Sequence, residues 1–220
     1  MSTAIRSRKK RELKGLFPLE NGDRMSQAEF HRAYAAYPED AKFELIGGTV
    51  FMASPLRRAH GRPHLLLGSL LELYESETPG AEALDNVTII LNEDSEPQPD
   101  LVLRILSEYG GQSIETAKDY VAGAPELVVE IALSTRAIDL HQKLDDYKRA
   151  GVQEYLVLCA EESELRWFNF RGRQQITADT HGISRSRSFP GLWIHGPALL
   201  ARRRTELVSV LHEGIASPEL

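Results

Sequence analysis

Residues 126–133 read ELVVEIAL, and this octapeptide decides the fold. Its near-continuous apolar character is that of a strand covered on both faces, a central strand of a mixed sheet. Upstream, PDLVLRIL (99–106) has the aliphatic, β-branched content of a second strand, and VTIILN (87–92) that of a third. Downstream the period changes: from about Ile138 to Ala150, Leu140, Leu144, Tyr147 and Gly151 fall on one helical stripe. EYLVLCA (154–160) and ELRWFNF (164–170) then return to strand character. Strand, helix and strand in that order predict an α/β core whose mixed sheet is flanked by helices.

Farther toward the amino terminus, SQAEFHRAYAAY (26–37) carries a capping-box spacing, Ser26 followed by Glu29. Its apolar face is Phe30, Ala33, Tyr34 and Tyr37. FELIGGTVFM (43–52) alternates around Gly47-Gly48, a dipeptide suited to the positive φ of a tight hairpin. A helix is expected from about Pro63 to Glu77, with Leu66, Leu67, Leu70, Leu71 and Tyr74 at helical spacing and Pro79-Gly80 ending it. Residues 1–22 read as a basic mobile tail, 23–200 as one domain and 201–220 as a helical extension.

Of the 220 residues, 42% are hydrophobic and 26% charged, as in soluble globular chains. No apolar run reaches the roughly 18 residues of a membrane span, and the basic start lacks the apolar stretch of a secretory signal, so a cytoplasmic location is expected. The single cysteine, Cys159, lies in an apolar run and reads as a buried thiol, which excludes a disulfide or a cysteine zinc site. The histidines show no HExxH spacing, which argues against zinc. The net charge of −6 disfavours a protein that coats nucleic acid without selection. Local basic clusters remain at Arg6 to Arg11, at Arg57, Arg58 and Arg62, and at Arg185, Arg187 and Arg202 to Arg204. Each reads first as a solvated face and second as a place for phosphate.

The chemistry begins with Glu130, a carboxylate between Val129 and Ile131 in an apolar strand. Buried without a partner it would cost several kcal/mol as an order of magnitude, so a metal, Lys or Arg is expected beside it. Asp100 stands at the start of its strand, where a side chain reaches a cleft. Two carboxylates on neighbouring strands can jointly hold an oxygen-seeking ion such as Mg²⁺ or Mn²⁺. Lys143 lies at the edge of the helical stripe and is expected to point at the sheet, where it can stabilise negative charge developing on phosphorus.

These residues carry a resemblance. PQPDLVLR, then GAPELVVEIALST, then DLHQKLDDYKRAGVQEYLV, with FELIGGTVFMASP before them and WFNFR and FPGLW after, resemble the Uma-two family of the PD-(D/E)xK nuclease superfamily, over roughly residues 26 to 195. The resemblance implies a restriction endonuclease-like core and a metal-dependent endonuclease acting on DNA, and cutting both strands of a duplex suits a homodimer. Asp100, Glu130, Lys143 and Glu44 would be its catalytic set and Asp100 and Glu130 its metal ligands, with His60 and Gln98 in support.

The superfamily's usual lysine stands two residues after the strand carboxylate, and here that position is Ala132. The resemblance implies that the lysine has moved to the following helix as Lys143. A lysine placed at 132 would fall on the Glu130 side of the strand. The alternative is an inactive module with this fold that binds nucleic acid or a protein. A glycosidase using Asp100 and Glu130 ranks last, because it leaves Lys143 without a role.

Overall fold

The computed structural model describes residues 18–38, 41–52, 57–133 and 135–218. The decisive octapeptide forms a strand, Leu127–Ala132, all six residues of which are buried. With elements numbered in chain order it is β8. It pairs antiparallel with β5 (Leu101–Ile105), Leu101 facing Val129, and parallel with β9 (Glu154–Cys159), Glu130 facing Val157. With β3 (Ala81–Asp85), β10 (Glu164–Asn169) and β11 (Gln174–Gln175) these strands make a six-stranded mixed sheet, ordered β11-β10-β9-β8-β5-β3.

Alternation along β8 sorts its side chains between two apolar clusters. Leu127, Val129 and Ile131 face α2 (Arg58–Glu77), which contributes Leu67, Leu70, Leu71 and Tyr74. Val128 and Ala132 face the other way, onto Leu140, Tyr147, Val152 and Tyr155. The crossover from β8 to β9 that supplies this second layer starts as a π-helix, Ile138–Lys143, and continues as α3, Leu144–Ala150. A parallel pair needs such a crossover, because a tight turn cannot reverse the chain twice.

A third cluster lies outside the sheet. Helix α1 (Gln27–Tyr34) lays Phe30 and Ala33 on the hairpin of β1 (Phe43–Ile46) and β2 (Thr49–Met52). Both halves of the Ser26–Glu29 capping box form, and Gly47 and Gly48 take positive φ angles of 54° and 73° at the hairpin turn. Backbone bonds exchanged between Leu45 and Glu96 tie the hairpin to the segment leading into β5.

Several boundaries differ from the expectations. Helix α2 begins at Arg58, a full turn before Pro63. Proline is a favoured helix opener, but here it sits inside, where it leaves one carbonyl without its helical donor. Of VTIILN only Ile89–Ile90 (β4) is strand, and it belongs to a separate three-stranded sheet with β6 (Ile114–Glu115) and β7 (Val121–Ala122). Strand β3, AEALD, was not expected, since it has no β-branched residue and owes its conformation to pairing with β5.

Described residues assigned above to the two flanking segments also pack. The basic residues Arg6 to Arg11 lie outside the described residues. Leu19, assigned by composition to the tail, is buried, and its N–H donates to the Tyr37 hydroxyl. After the short β12 (Ile183–Arg185) and β13 (Trp193–His195) come α4 (Gly196–Ala201) and α5 (Arg204–Ile215). Leu207 and Leu211 of α5 enter the larger cluster beside α2, so the carboxy-terminal helix contributes to the core.

Candidate active site

One more step in the β5–β8 register brings Asp100 opposite Glu130, because Leu101 faces Val129 in an antiparallel pair. Asp100 Oδ2 accepts the N–H of Ile131 at 2.7 Å, which locks the carboxyl to the neighbouring strand at the end of the ladder. Asp100 thus stands beside Glu130 at one end of the sheet, where Lys143 enters from the β8–β9 crossover.

Lys143 is the hub. Its Nζ donates to Glu130 Oε1 at 2.8 Å and to Glu44 Oε1 at 2.9 Å, and lies 3.9 Å from Asp139. Glu44 reaches in from β1, where the same oxygen accepts the N–H of Gln98 at 2.8 Å. The hairpin is therefore anchored to the QPD segment through the carboxylate it presents. The π-helix adds a residue to the turn that places Lys143, a local widening often found at functional sites. Tyr147, one turn on, donates its hydroxyl to Glu130 Oε1 at 3.0 Å.

Charge in this cluster is unbalanced. Four carboxylates, Glu44, Asp100, Glu130 and Asp139, gather around one ammonium. Burial alone would lower the pKa of Lys143, but Glu130, Glu44 and Asp139 together hold it well above the usual lysine range. Burial, opposed by Lys143, pushes Glu130 well above the ordinary carboxylate range, and the other three carboxylates add to the effect. Asp139 is raised chiefly by burial. Asp100 differs: burial would raise it, yet hydrogen bonds from His60 and Ile131 and the charges of His60 and Lys143 hold it below the ordinary value. Asp100 stays ionised in neutral solution.

On the other flank stands α2. His60 Nε2 lies 3.0 Å from Asp100 Oδ1. His64, one turn later, places Nε2 3.0 Å from the Asp100 carbonyl oxygen and 2.7 Å from Asp85 Oδ1. His60, His64 and Asp100 each offer a ligand atom, and these atoms all lie within 4.8 Å of one another. Arg57, Arg58 and Arg62 are exposed at the start of the same helix. Of the later basic residues, Arg185 pairs with Asp179 and covers the Trp193 ring, and Arg203 pairs with Glu206.

Sequence reasoning singled out Asp100, Glu130, Lys143, Glu44, His60 and Gln98, and all of them lie in this region. It missed Asp139, Tyr147, His64 and Asp85. Asp139 and Tyr147 had a signal, since each is four residues from Lys143 and so shares its helix face. The His60–His64 spacing was the same signal, passed over for want of the HExxH pattern. Asp85 had none, because its strand was unrecognised. Ala132 is buried in the apolar cluster on the Glu130 side of β8.

Comparison with known proteins agrees with this architecture. A family model named Uma2 and described as "Putative restriction endonuclease" matches residues 27–201. No curated protein matches the chain. A solved structure described as a "putative nuclease belonging to DUF820" from Anabaena variabilis superposes with a TM-score of 0.63 at 15% identity. The match covers 80% of this chain and 98% of that one. At that identity the likeness speaks for the fold. No helix among the described residues is long and apolar enough to cross a membrane.

Proposed function

The chain belongs to the Uma2 family, and on that premise we propose that it is a metal-dependent endonuclease hydrolysing phosphodiester bonds of DNA at Asp100, Glu130, Lys143 and Glu44. The observation that carries this reading is the Lys143 ammonium bridging Glu130 and Glu44 beside Asp100, four residues from four separate segments.

The donor set fits Mg²⁺ or Mn²⁺. Asp100 and Glu130 offer the hard oxygens such ions take, and the hydrogen bonds of Glu130 and Glu44 fall on one oxygen of each, Oε1. The excess of negative charge around Lys143 favours a further cation. Asp100 and Glu130 would hold the ion, which when bound supplies electrostatic polarisation of a phosphate oxygen and a lowered pKa for water. Asp100 would contribute a fixed negative charge, held in place by Ile131 and His60. Lys143 would stay protonated and stabilise the charge that grows on the phosphate oxygens, oriented by Glu44 and Glu130. The exposed arginines at the head of α2 would meet the neighbouring phosphates. Cutting both strands of a duplex suits two copies of the site, so a homodimer is part of the proposal.

Incubation of duplex and single-stranded DNA with the protein tests this reading. Cleavage is expected with Mg²⁺ or Mn²⁺, weakening as salt rises and absent in Asp100→Asn and Glu130→Gln. Cleavage that persists in excess chelator would contradict metal dependence. A second reading, an inactive binding module, draws on Ala132 at the usual lysine position. DNA binding with neither metal binding nor cleavage would favour it.

A further inference from the structure

We propose that His60 and His64, one turn apart on α2, form with Asp100 a three-ligand face for a nitrogen-preferring divalent ion of the Co²⁺, Ni²⁺ and Zn²⁺ class. The proposal rests on the reading that Asp100 takes a metal, and it adds on the α2 side of Asp100 a second position, independent of Glu130, with its own choice of ion.

The spacing comes first. Residues four apart on a helix stand one above the other, so two imidazoles at 60 and 64 can address one point. Their ring centroids are 5.5 Å apart and the rings are nearly perpendicular, at 85°. A packing pair would need no acid before it, yet both Nε2 atoms face oxygens of the same residue, Asp100, at 3.0 Å.

The His60–Asp100 carboxylate distance matches a coordination shell, and the three donor atoms together fall within 4.8 Å of one another. Adjacent donors on an octahedral ion with bonds of about 2.1 Å lie about 3 Å apart. The carboxyl of Asp100 would supply one oxygen, and its carbonyl and Asp85, 2.7 Å from His64 Nε2, stand ready as further oxygens. His60 Nδ1 is buried with no hydrogen-bond partner among the described residues.

Donor chemistry then sets the ion. Imidazole suits the later first-row metals, whereas Mg²⁺ prefers oxygen ligands and keeps its waters. Beside this face, His64 and Asp85 line a groove of about 420 Å³ between α2 and β3, with Leu101 and Gly68 also in its lining. An ion here would be approached from the His64 side, next to this groove.

The test is metal binding by the full chain, read by calorimetry and by the visible absorption of bound Co²⁺, which reports nitrogen ligands without any need for turnover. Wild type is expected to bind Co²⁺ more tightly than Mg²⁺. His64→Gln should weaken Co²⁺ binding at least about tenfold while changing Mg²⁺ affinity less than about threefold, and Glu130→Gln should leave the Co²⁺ spectrum in place. His64 is partly exposed, so this variant tests the idea even if the buried His60→Gln does not fold. Wild-type Co²⁺ affinity and spectrum in His64→Gln would overturn the proposal, as would failure of wild type to bind Co²⁺. Cleavage with Mg²⁺ scored on the same samples separates the two ideas. Normal cleavage with no histidine-dependent metal leaves the nuclease reading standing and this one refuted, and histidine-dependent metal without cleavage does the reverse.

Discussion

Lys143 Nζ and Glu130 Oε1 lie 2.8 Å apart, both residues almost wholly buried. Neither charge is tolerable there without the other. Lys143→Met should therefore abolish turnover and also destabilise the fold by about 3–5 kcal/mol, since it leaves Glu130 and its neighbouring carboxylates uncompensated. Glu130→Gln with Lys143→Met should recover part of that stability, because it removes one of the carboxylates left uncompensated while Glu44 and Asp139 remain. Urea denaturation of both singles and the double gives the coupling. Additive losses would show that the two groups do not depend on one another.

Ala132→Lys offers a sharper contrast between sequence and structure. On alternation alone a lysine here returns an ammonium to the Glu130 side of β8. In the structure Ala132 is 1% exposed and packed among Leu140, Val157 and Cys159. The larger side chain should cost at least about 1–3 kcal/mol from overpacking and should not restore cleavage to Lys143→Met. Recovery of cleavage in the double variant would show that this wall of the core can open.

Glu154 holds a different part of the fold. Its Oε1 accepts the N–H groups of Arg187 and Ser188, and its Oε2 accepts Trp167 Nε1 and Ser186 Oγ. Glu154→Gln turns an N–H₂ group toward donors whichever way the amide is placed. A loss of about 1–3 kcal/mol in denaturant unfolding is expected, with metal affinity at Asp100 unchanged. Wild-type stability would mean that the 186–188 loop finds other acceptors.

Asp179 supplies a pH dependence. The N–H of Ile183, Arg185 and the N–H of His181 bind its carboxylate and lower its pKa from 3.8 to about 2. A depressed acid adds stability above its unfolded value and gives it up as pH falls through the folded one. Its share is thus lost between pH 3.8 and about 2. Asp179→Asn should lose less stability than wild type across that interval, followed by acid titration of tryptophan fluorescence. Equal slopes would show that the Asp179 turn does not persist in solution.

What the sequence by itself determined is the core pattern and the identity of the main polar groups within it. Period two with apolar residues on both sides of β8, followed by period 3.6, already implied a central strand and its crossover helix. A carboxylate at 130 in such a strand already demanded a partner, because burying an isolated charge is too costly. Local rules also settled the Ser26–Glu29 cap and the Gly47-Gly48 turn, where the interacting atoms are only a few residues apart.

Only the tertiary structure decided who that partner is and what surrounds it. Glu44, Asp100, Glu130 and Lys143 are brought together by strand register and by the hairpin's attachment at Leu45 and Glu96, contacts between segments that no local pattern encodes. The same holds for β3, whose residues favour no strand alone, and for Asp85, which approaches His64 through it. Burial of Ala132 depends on helix packing across the sheet, so alternation could name its side of the strand but not the space available there. Patterning is a property of neighbours in the chain, whereas the charge balance and donor geometry of the site belong to groups that meet only once the sheet has formed.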